Sequence, residues 1–151
     1  MADKKYKILF LCTGNSCRSQ MAEGWTRYLK ADSIEAYSAG IETHGLNPLA
    51  VRVMAEMGVD ISGQKSKTVD AVKDIDFDYV VTVCGHANET CPMWLSKKAK
   101  VVHVGFEDPP QLAKNAKTEE EALYFYRRIR DEIREFVNNL PNNITGGENE
   151  W

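Results

Sequence analysis

The chain has 151 residues, 43% of them hydrophobic and 27% charged, with a formal net charge of −3; this is the profile of one globular domain long enough to bury a core. Its 19 Lys and Arg and 22 Asp and Glu split at residue 75 into 10 against 9, then 9 against 13. With no basic arm in either half, no nucleic acid or membrane partner is expected, and any attraction for an anion has to be local.

The first stretch, MADKKYKILFLCTG, holds an apolar run of only Ile8 to Cys12. An export signal needs roughly 7–15 apolar residues and a membrane helix roughly 20. A cytoplasmic setting is therefore expected, where cysteines serve as catalysts or redox sensors more often than as staples. Residues 7–12 read as the first buried strand, followed by a helix over 17–30 with Met21, Ala22, Trp25, Tyr28 and Leu29 at helical spacing. A weaker strand, 34–39, closes at Gly40. Asn47-Pro48 opens a second helix that stops at Gly58, and 68–74 suits a short helical turn. Two further apolar, β-branched strands span 78–84 and 100–106. The longest helix starts at the Thr118/Glu121 capping pair and runs to about Leu140, with Ala122, Phe125, Tyr126, Ile129, Ile133, Phe136 and Val137 on one stripe. The alternation predicts a three-layer α/β fold, a four-stranded parallel sheet flanked by helices, as one domain over 1–140. The polar stretch 141–151, PNNITGGENEW, reads as a frayed tail.

The chemistry concentrates in Cys12-Thr13-Gly14-Asn15-Ser16-Cys17-Arg18-Ser19. It ends a strand and opens a helix, so it lies on the carboxyl edge of the sheet, where open α/β folds bind ligands. Five residues between Cys12 and Arg18 suffice for a tight loop with inward N–H groups, an anion nest at a helix start. Arg18 offers a planar fork to a tetrahedral oxyanion, and the same field favours a thiolate at Cys12. Ser19 is placed to donate to that thiolate. Asp108, in Glu107-Asp108-Pro109-Pro110 just past the last strand, is the candidate general acid, its loop stiffened by proline.

Cys84 ends its strand as Cys12 ends the first. If those strands are neighbours, about 4.8 Å apart, their cysteines approach disulfide distance, and Cys84 is able to attack sulfur at Cys12. Cys91 lies seven residues further on. On a helix that is a rise of roughly 10.5 Å, against the roughly 7 Å a disulfide tolerates. A Cys84–Cys91 bond therefore requires residues 85–90 to deform, with Gly85 and Asn88 as weak points. A zinc site fits poorly, because the cysteine spacings are not those of close ligand pairs and Cys12 faces an anion nest. His86 reads as a loop residue and His103 as a strand residue.

CTGNSCRSQMAEGW at 12–25, YSAGIETHG at 37–45, VVTVC at 80–84, CP at 91–92 and GFEDPP at 105–110 resemble the thioredoxin-coupled arsenate reductases, which share the low-molecular-weight tyrosine phosphatase fold. The resemblance implies that Cys12 attacks arsenate held by the N–H groups of residues 13–19 and by Arg18, while Asp108 protonates the departing oxygen. It further implies a Cys12–Cys84 disulfide, then a Cys84–Cys91 disulfide reduced by thioredoxin, with Cys17 spare and no bound cofactor. Some members hold potassium through positions matching Asn15, Glu23, Ser38 and an acidic residue; here the last is Lys67, which counts against a metal and suggests an ammonium paired with Glu23. A cytoplasmic monomer active in arsenic detoxification is the leading expectation, with weak phosphatase side activity. A phosphotyrosine phosphatase and a non-enzymatic thiol redox sensor are the alternatives. Pro110 and the Glu42-Thr43-His44 loop stand where phosphatases carry aromatics, which favours a small inorganic oxyanion.

Overall fold

The structure, a computed structural model, describes residues 5–145. Four parallel strands, β1 (Tyr6–Cys12), β2 (Ile34–Gly40), β3 (Tyr79–Thr82) and β4 (Lys100–His103), lie in the order β2-β1-β3-β4. Five consecutive residues of β1, Ile8 to Cys12, are buried, as are all four of β3. Because neighbouring side chains of a strand point to opposite faces, unbroken burial means that helices cover both faces of the sheet. The fold is the one expected, an α/β domain with its parallel sheet flanked by helices.

Helix α1 (Arg18–Leu29) packs on β1 and β2, α2 (Pro48–Glu56) on α1, and a 3-10 turn (Val69–Val72) on β2. Helix α3 (Gly85–Thr90) packs on β1 and β3, and α4 (Met93–Lys98) on β4. After a short α5 (Pro109–Leu112) and a 3-10 turn (Ala113–Asn115), the long α6 (Glu119–Asn138) crosses α1, α2 and α5. Asn47 caps α2 through its side-chain oxygen, with Pro48 at the first helical position. Thr118 accepts from Glu121 N, while the Glu121 carboxylate turns back one residue further, to Lys117 N.

Four expectations need correction. The run 100–106 is strand only to His103, and it forms an edge that is half exposed rather than central; Val104 and Phe106 still donate backbone bonds to Thr82 and Val83. The buried stripe of α6 is carried by Leu123, Tyr126, Ile129, Arg130, Ile133 and Val137, so Leu123 replaces the half-buried Ala122 and Phe125. His86 sits in helix α3, not in a loop. The expected tail begins with structure: α7 (Asn142–Thr145) buries Ile144 and Thr145 because the alternation of polar residues conceals one apolar anchor; residues 146–151 lie outside the described residues.

Candidate active site

β1 delivers Cys12 to the carboxyl edge of the sheet, and the chain then wraps a loop before α1 begins at Arg18. The orientation of this loop follows from where its carbonyls go. Cys12, Thr13, Gly14 and Ser16 give theirs to the N–H groups of Ile41, Glu42, His44 and Asn47, at 2.9–3.1 Å. Ser66 Oγ also donates to the Gly14 carbonyl, and Gln20 Nε2 donates to that of Asn15. With the carbonyls drawn outward, the N–H groups are free to converge on the cradle. Asn15 supplies the bend with φ of +48°, a left-handed value that asparagine tolerates.

Gly40 makes the close packing possible. A Cβ there would press into the Glu42 carbonyl oxygen and lie 2.7 Å from Asn15 N and 2.8 Å from Thr13 O, all backbone atoms. This requirement is invisible in a sequence that shows only a glycine ending a strand. Of the strap 41–47 and the segment 64–67, the sequence reading singled out Glu42-Thr43-His44 and Lys67 by resemblance, but not the backbone bonds by which the strap holds the loop, nor Ser66.

The donors around the nucleophile can be ordered. Lys67 N–H donates to Asn15 Oδ1 at 2.9 Å, so the other amide atom of Asn15 is the nitrogen, which donates to Ser19 Oγ at 2.8 Å. The Ser19 hydroxyl is thereby directed at Cys12 Sγ, 2.8 Å away, and Asn15 N–H adds a second donor at 3.2 Å. Cys12 sulfur thus sits as an acceptor, the role of a thiolate. Ser19 stands where the sequence reading put it, as a donor to Cys12, while Asn15 N–H, anticipated among the anion-binding groups, also turns toward this sulfur.

Arg18 reaches over the loop. Its guanidinium donates to the Phe106 carbonyl at 2.8 Å and lies 3.7 Å from Asp108 Oδ1. Cys12, Gly14, Arg18, His44, Asp108 and Pro110 line one pocket of about 310 Å³. A larger open cleft of about 680 Å³, between α1 and residues 58–67, holds no nucleophile, so chemistry and not size marks the site. Cys17 is buried beside the pocket; burial, with Asp108 adding to it, pushes its thiol far up, which leaves it protonated and unreactive.

Cys84 caps α3 by accepting from Ala87 N at 3.4 Å and lies 3.3 Å from Thr13 Oγ1. Cys91 closes the same helix, half-buried, and its thiol is raised by burial. All four cysteines are free thiols. The structure brings Cys12, Arg18 and Asp108 together in one pocket and sets the buried Cys84 against Thr13 of its loop, while Cys91 stands a helix away. Among the described residues, no three His, Cys, Asp or Glu side chains gather as a metal site would need, and no helix is long and apolar enough to cross a membrane.

Residues 7–147 match the low molecular weight phosphotyrosine protein phosphatase family. The chain belongs to that family. Within it, an arsenate reductase of Halalkalibacterium halodurans is 54% identical over 129 residues, covering 85% of this chain and 90% of the relative. An arsenate reductase of Bacillus subtilis is 53% identical, covering 83% and 88%. Among solved structures, an arsenate reductase in its phosphate-binding state superposes with a TM-score of 0.72 at 34% identity, covering 92% of this chain and 98% of that one.

Proposed function

We propose that the chain reduces arsenate to arsenite through Cys12, Cys84 and Cys91. The observation that carries this reading is the second thiol: Cys84 stands 3.3 Å from the hydroxyl of Thr13, inside the loop that holds the nucleophile. A phosphatase needs only Cys12, Arg18 and Asp108; a reductase needs somewhere to leave an oxidised sulfur.

Cys12 thiolate attacks arsenic held by the loop N–H groups and Arg18. An S–As bond forms, and an oxygen leaves as water with a proton from Asp108. Cys84 thiolate then attacks Cys12 sulfur; the S–As bond breaks with its electron pair going to arsenic, which departs as arsenite, and a Cys12–Cys84 disulfide remains. Cys91 attacks Cys84 and frees Cys12 as thiolate. The resulting Cys84–Cys91 disulfide is reduced by an external dithiol protein of the thioredoxin class. For Cys84 and Cys91 to meet, α3 has to unwind, since seven residues of helix span roughly 10.5 Å.

The potassium ligands of some relatives do not fit this chain. Glu23 is satisfied by Ser38 Oγ at 2.5 Å and Arg27 at 2.8 Å, and Lys67 Nζ lies 4.0 Å from it. Burial holds the Lys67 ammonium below the ordinary lysine value against the pull of Glu23. The ammonium stands in for a cation, and turnover is expected to be equal in potassium and sodium salts.

The deciding experiment is NADPH-coupled turnover with arsenate, thioredoxin and thioredoxin reductase. Wild type is expected to turn over continuously, and Cys91→Ser to stop after about one equivalent of arsenite. Absence of arsenate-dependent oxidation beside brisk aryl-phosphate hydrolysis that ignores Cys91 would place the chain with the phosphatases. Slow aryl-phosphate hydrolysis is expected in any case, because the first displacement is shared.

A further inference from the structure

Besides the buried Cys17, the pocket is lined by a titratable side chain that the relay does not use, His44. His44 lies on the strap that clamps the loop, its N–H donating to the Gly14 carbonyl at 2.9 Å. Its ring rests directly on Gly14: a Cβ there would overlap Nδ1 and stand 2.5 Å from Cγ and 2.9 Å from Cε1. The other edge of the ring is held by Glu42, whose Oε2 is 3.0 Å from Nε2. The side chain remains 52% exposed and lines the same pocket as Cys12, Arg18 and Asp108.

This arrangement decides what the ring can do. Glu42 accepts from Nε2–H, which leaves Nδ1 as the atom turned to the loop. In the neutral ring Nδ1 presents a lone pair, repelling an oxyanion; in the imidazolium it presents N–H and a positive charge. Arg18, the pocket's one other cation, already has Asp108 at 3.7 Å. A multiply charged oxyanion therefore meets a site whose cationic charge is partly offset, and a second cation at its rim answers that deficit.

We propose that His44, held by Glu42, is an oxyanion-binding residue of the Cys12 pocket and acts in its imidazolium form. The proposal rests on reading this pocket as the arsenate site. The charged or titratable groups facing His44 are Glu42 on its own strap, Cys12, Cys17 and Arg18 on the loop and α1, and Asp108 from the segment after β4.

The test uses sulfate, a dianion whose charge is constant near neutrality, titrated calorimetrically into the Cys12→Ser chain so that no thiolate titrates at the centre. Between about pH 5.5 and about pH 8.5, either side of the range where imidazoles ordinarily titrate, the Kd is expected to rise about tenfold. In Cys12→Ser/His44→Asn it is expected to be flat and as weak as the parent at high pH. A pH dependence that survives His44→Asn would overturn the proposal. In the four-cysteine chain, His44→Asn is expected to raise the arsenate KM about tenfold, with kcat within about twofold; a loss in kcat alone would also overturn it. If sulfate binding follows His44 but wild type turns over no arsenate, the reductase reading falls and the anion site stands. If arsenate turns over and sulfate ignores His44, only the present inference falls.

Discussion

Cys12 ends β1, and Cys84 lies two residues past the end of the adjacent β3, which is strand only over Tyr79–Thr82 rather than the expected 78–84, so that Cys84 already caps α3; the segments that follow the two cysteines are built in opposite ways. After Cys12, the carbonyls of residues 12–16 are each engaged by a donor from elsewhere in the fold, and Asn15, Ser19 and Gln20 are fully buried. After Cys84, a helix of six residues, Gly85–Thr90, buries only Ala87. Its side-chain ties inward are few: Thr82 Oγ1 to Asn88 Oδ1 at 3.3 Å, with Thr82 in turn 2.8 Å from His103 Nδ1. The contrast matches the work proposed for each. A nucleophile that stabilises developing charge gains from donors already in place, whereas a thiol carrier has to move its sulfur by several ångströms, and an element that opens locally at low cost suits that task.

The largest effect is expected where the rigid half is broken. Gly40→Ala pushes a methyl group against three backbone atoms of the strap and loop, none of which yields as a flexible side-chain end would. A displacement of the loop by about 1 Å is enough to lower kcat/KM for arsenate by about 100-fold. Formation of the Cys84–Cys91 disulfide by an external oxidant, followed by thiol titration, is expected to proceed at the wild-type rate. If Gly40→Ala stays within threefold of wild type on arsenate, the cradle is softer than its hydrogen bonds suggest.

The softer half is sharpened by two substitutions of opposite sign. Gly85→Ala meets nothing within 4 Å and replaces a poor helix former by the best one, stiffening α3 by up to about 1 kcal/mol. Stopped-flow detection of Cys84–Cys91 bond formation is expected to slow by about two- to fivefold. Thr82→Val keeps the buried shape but removes the hydroxyl that tethers α3 through Asn88, and a similar acceleration is expected. Equal rates in both variants would mean that bond formation does not wait on unwinding.

The same contrast explains what was legible in the sequence. Unbroken apolar runs announced β1 and β3, and a loop with cysteine, glycine and arginine between strand and helix announced the anion nest, because both are local patterns. Helix α3 was missed as a helix: Gly85-His86-Ala87-Asn88-Glu89-Thr90 has no apolar period, and its start is capped by a cysteine sulfur rather than by a usual cap residue. Gly40, His44, Ser66 and Lys67 act on the loop only through tertiary approach, from Gly40 against Asn15, 25 residues apart, to Ser66 on Gly14 and Lys67 on Asn15, each 52 apart. No spacing rule links such positions. For Cys91 the spacing bounded only its distance from Cys84; the relay role proposed for it came from the resemblance.

The smallest effect belongs to a bridge remote from both halves. Glu56, near the end of α2, receives Arg127 at 2.8 and 3.0 Å and the buried Arg130 at 2.9 Å, tying α2 to α6. The hydrogen bonds from Arg127, followed by its charge and the Arg130 contacts, hold the Glu56 carboxyl below its ordinary value against a smaller opposing effect of burial. A carboxyl lowered in the folded state adds stability that is complete above its unfolded value, near 4.3, and is lost as pH falls through the folded value. Glu56→Gln is therefore expected to lower the urea midpoint at neutral pH by the equivalent of about 1 kcal/mol, discounted for a side chain about a third exposed, and the gap from wild type is expected to close in acid. Arsenate turnover and the rate of Cys84–Cys91 bond formation are expected to stay at wild-type values. A change in either would mean that α2 and α6 transmit strain into the strap at Asn47, whose side chain donates to Tyr126 of α6, and the rigidity of the cradle would then belong to the whole helical layer rather than to the loop's own hydrogen bonds.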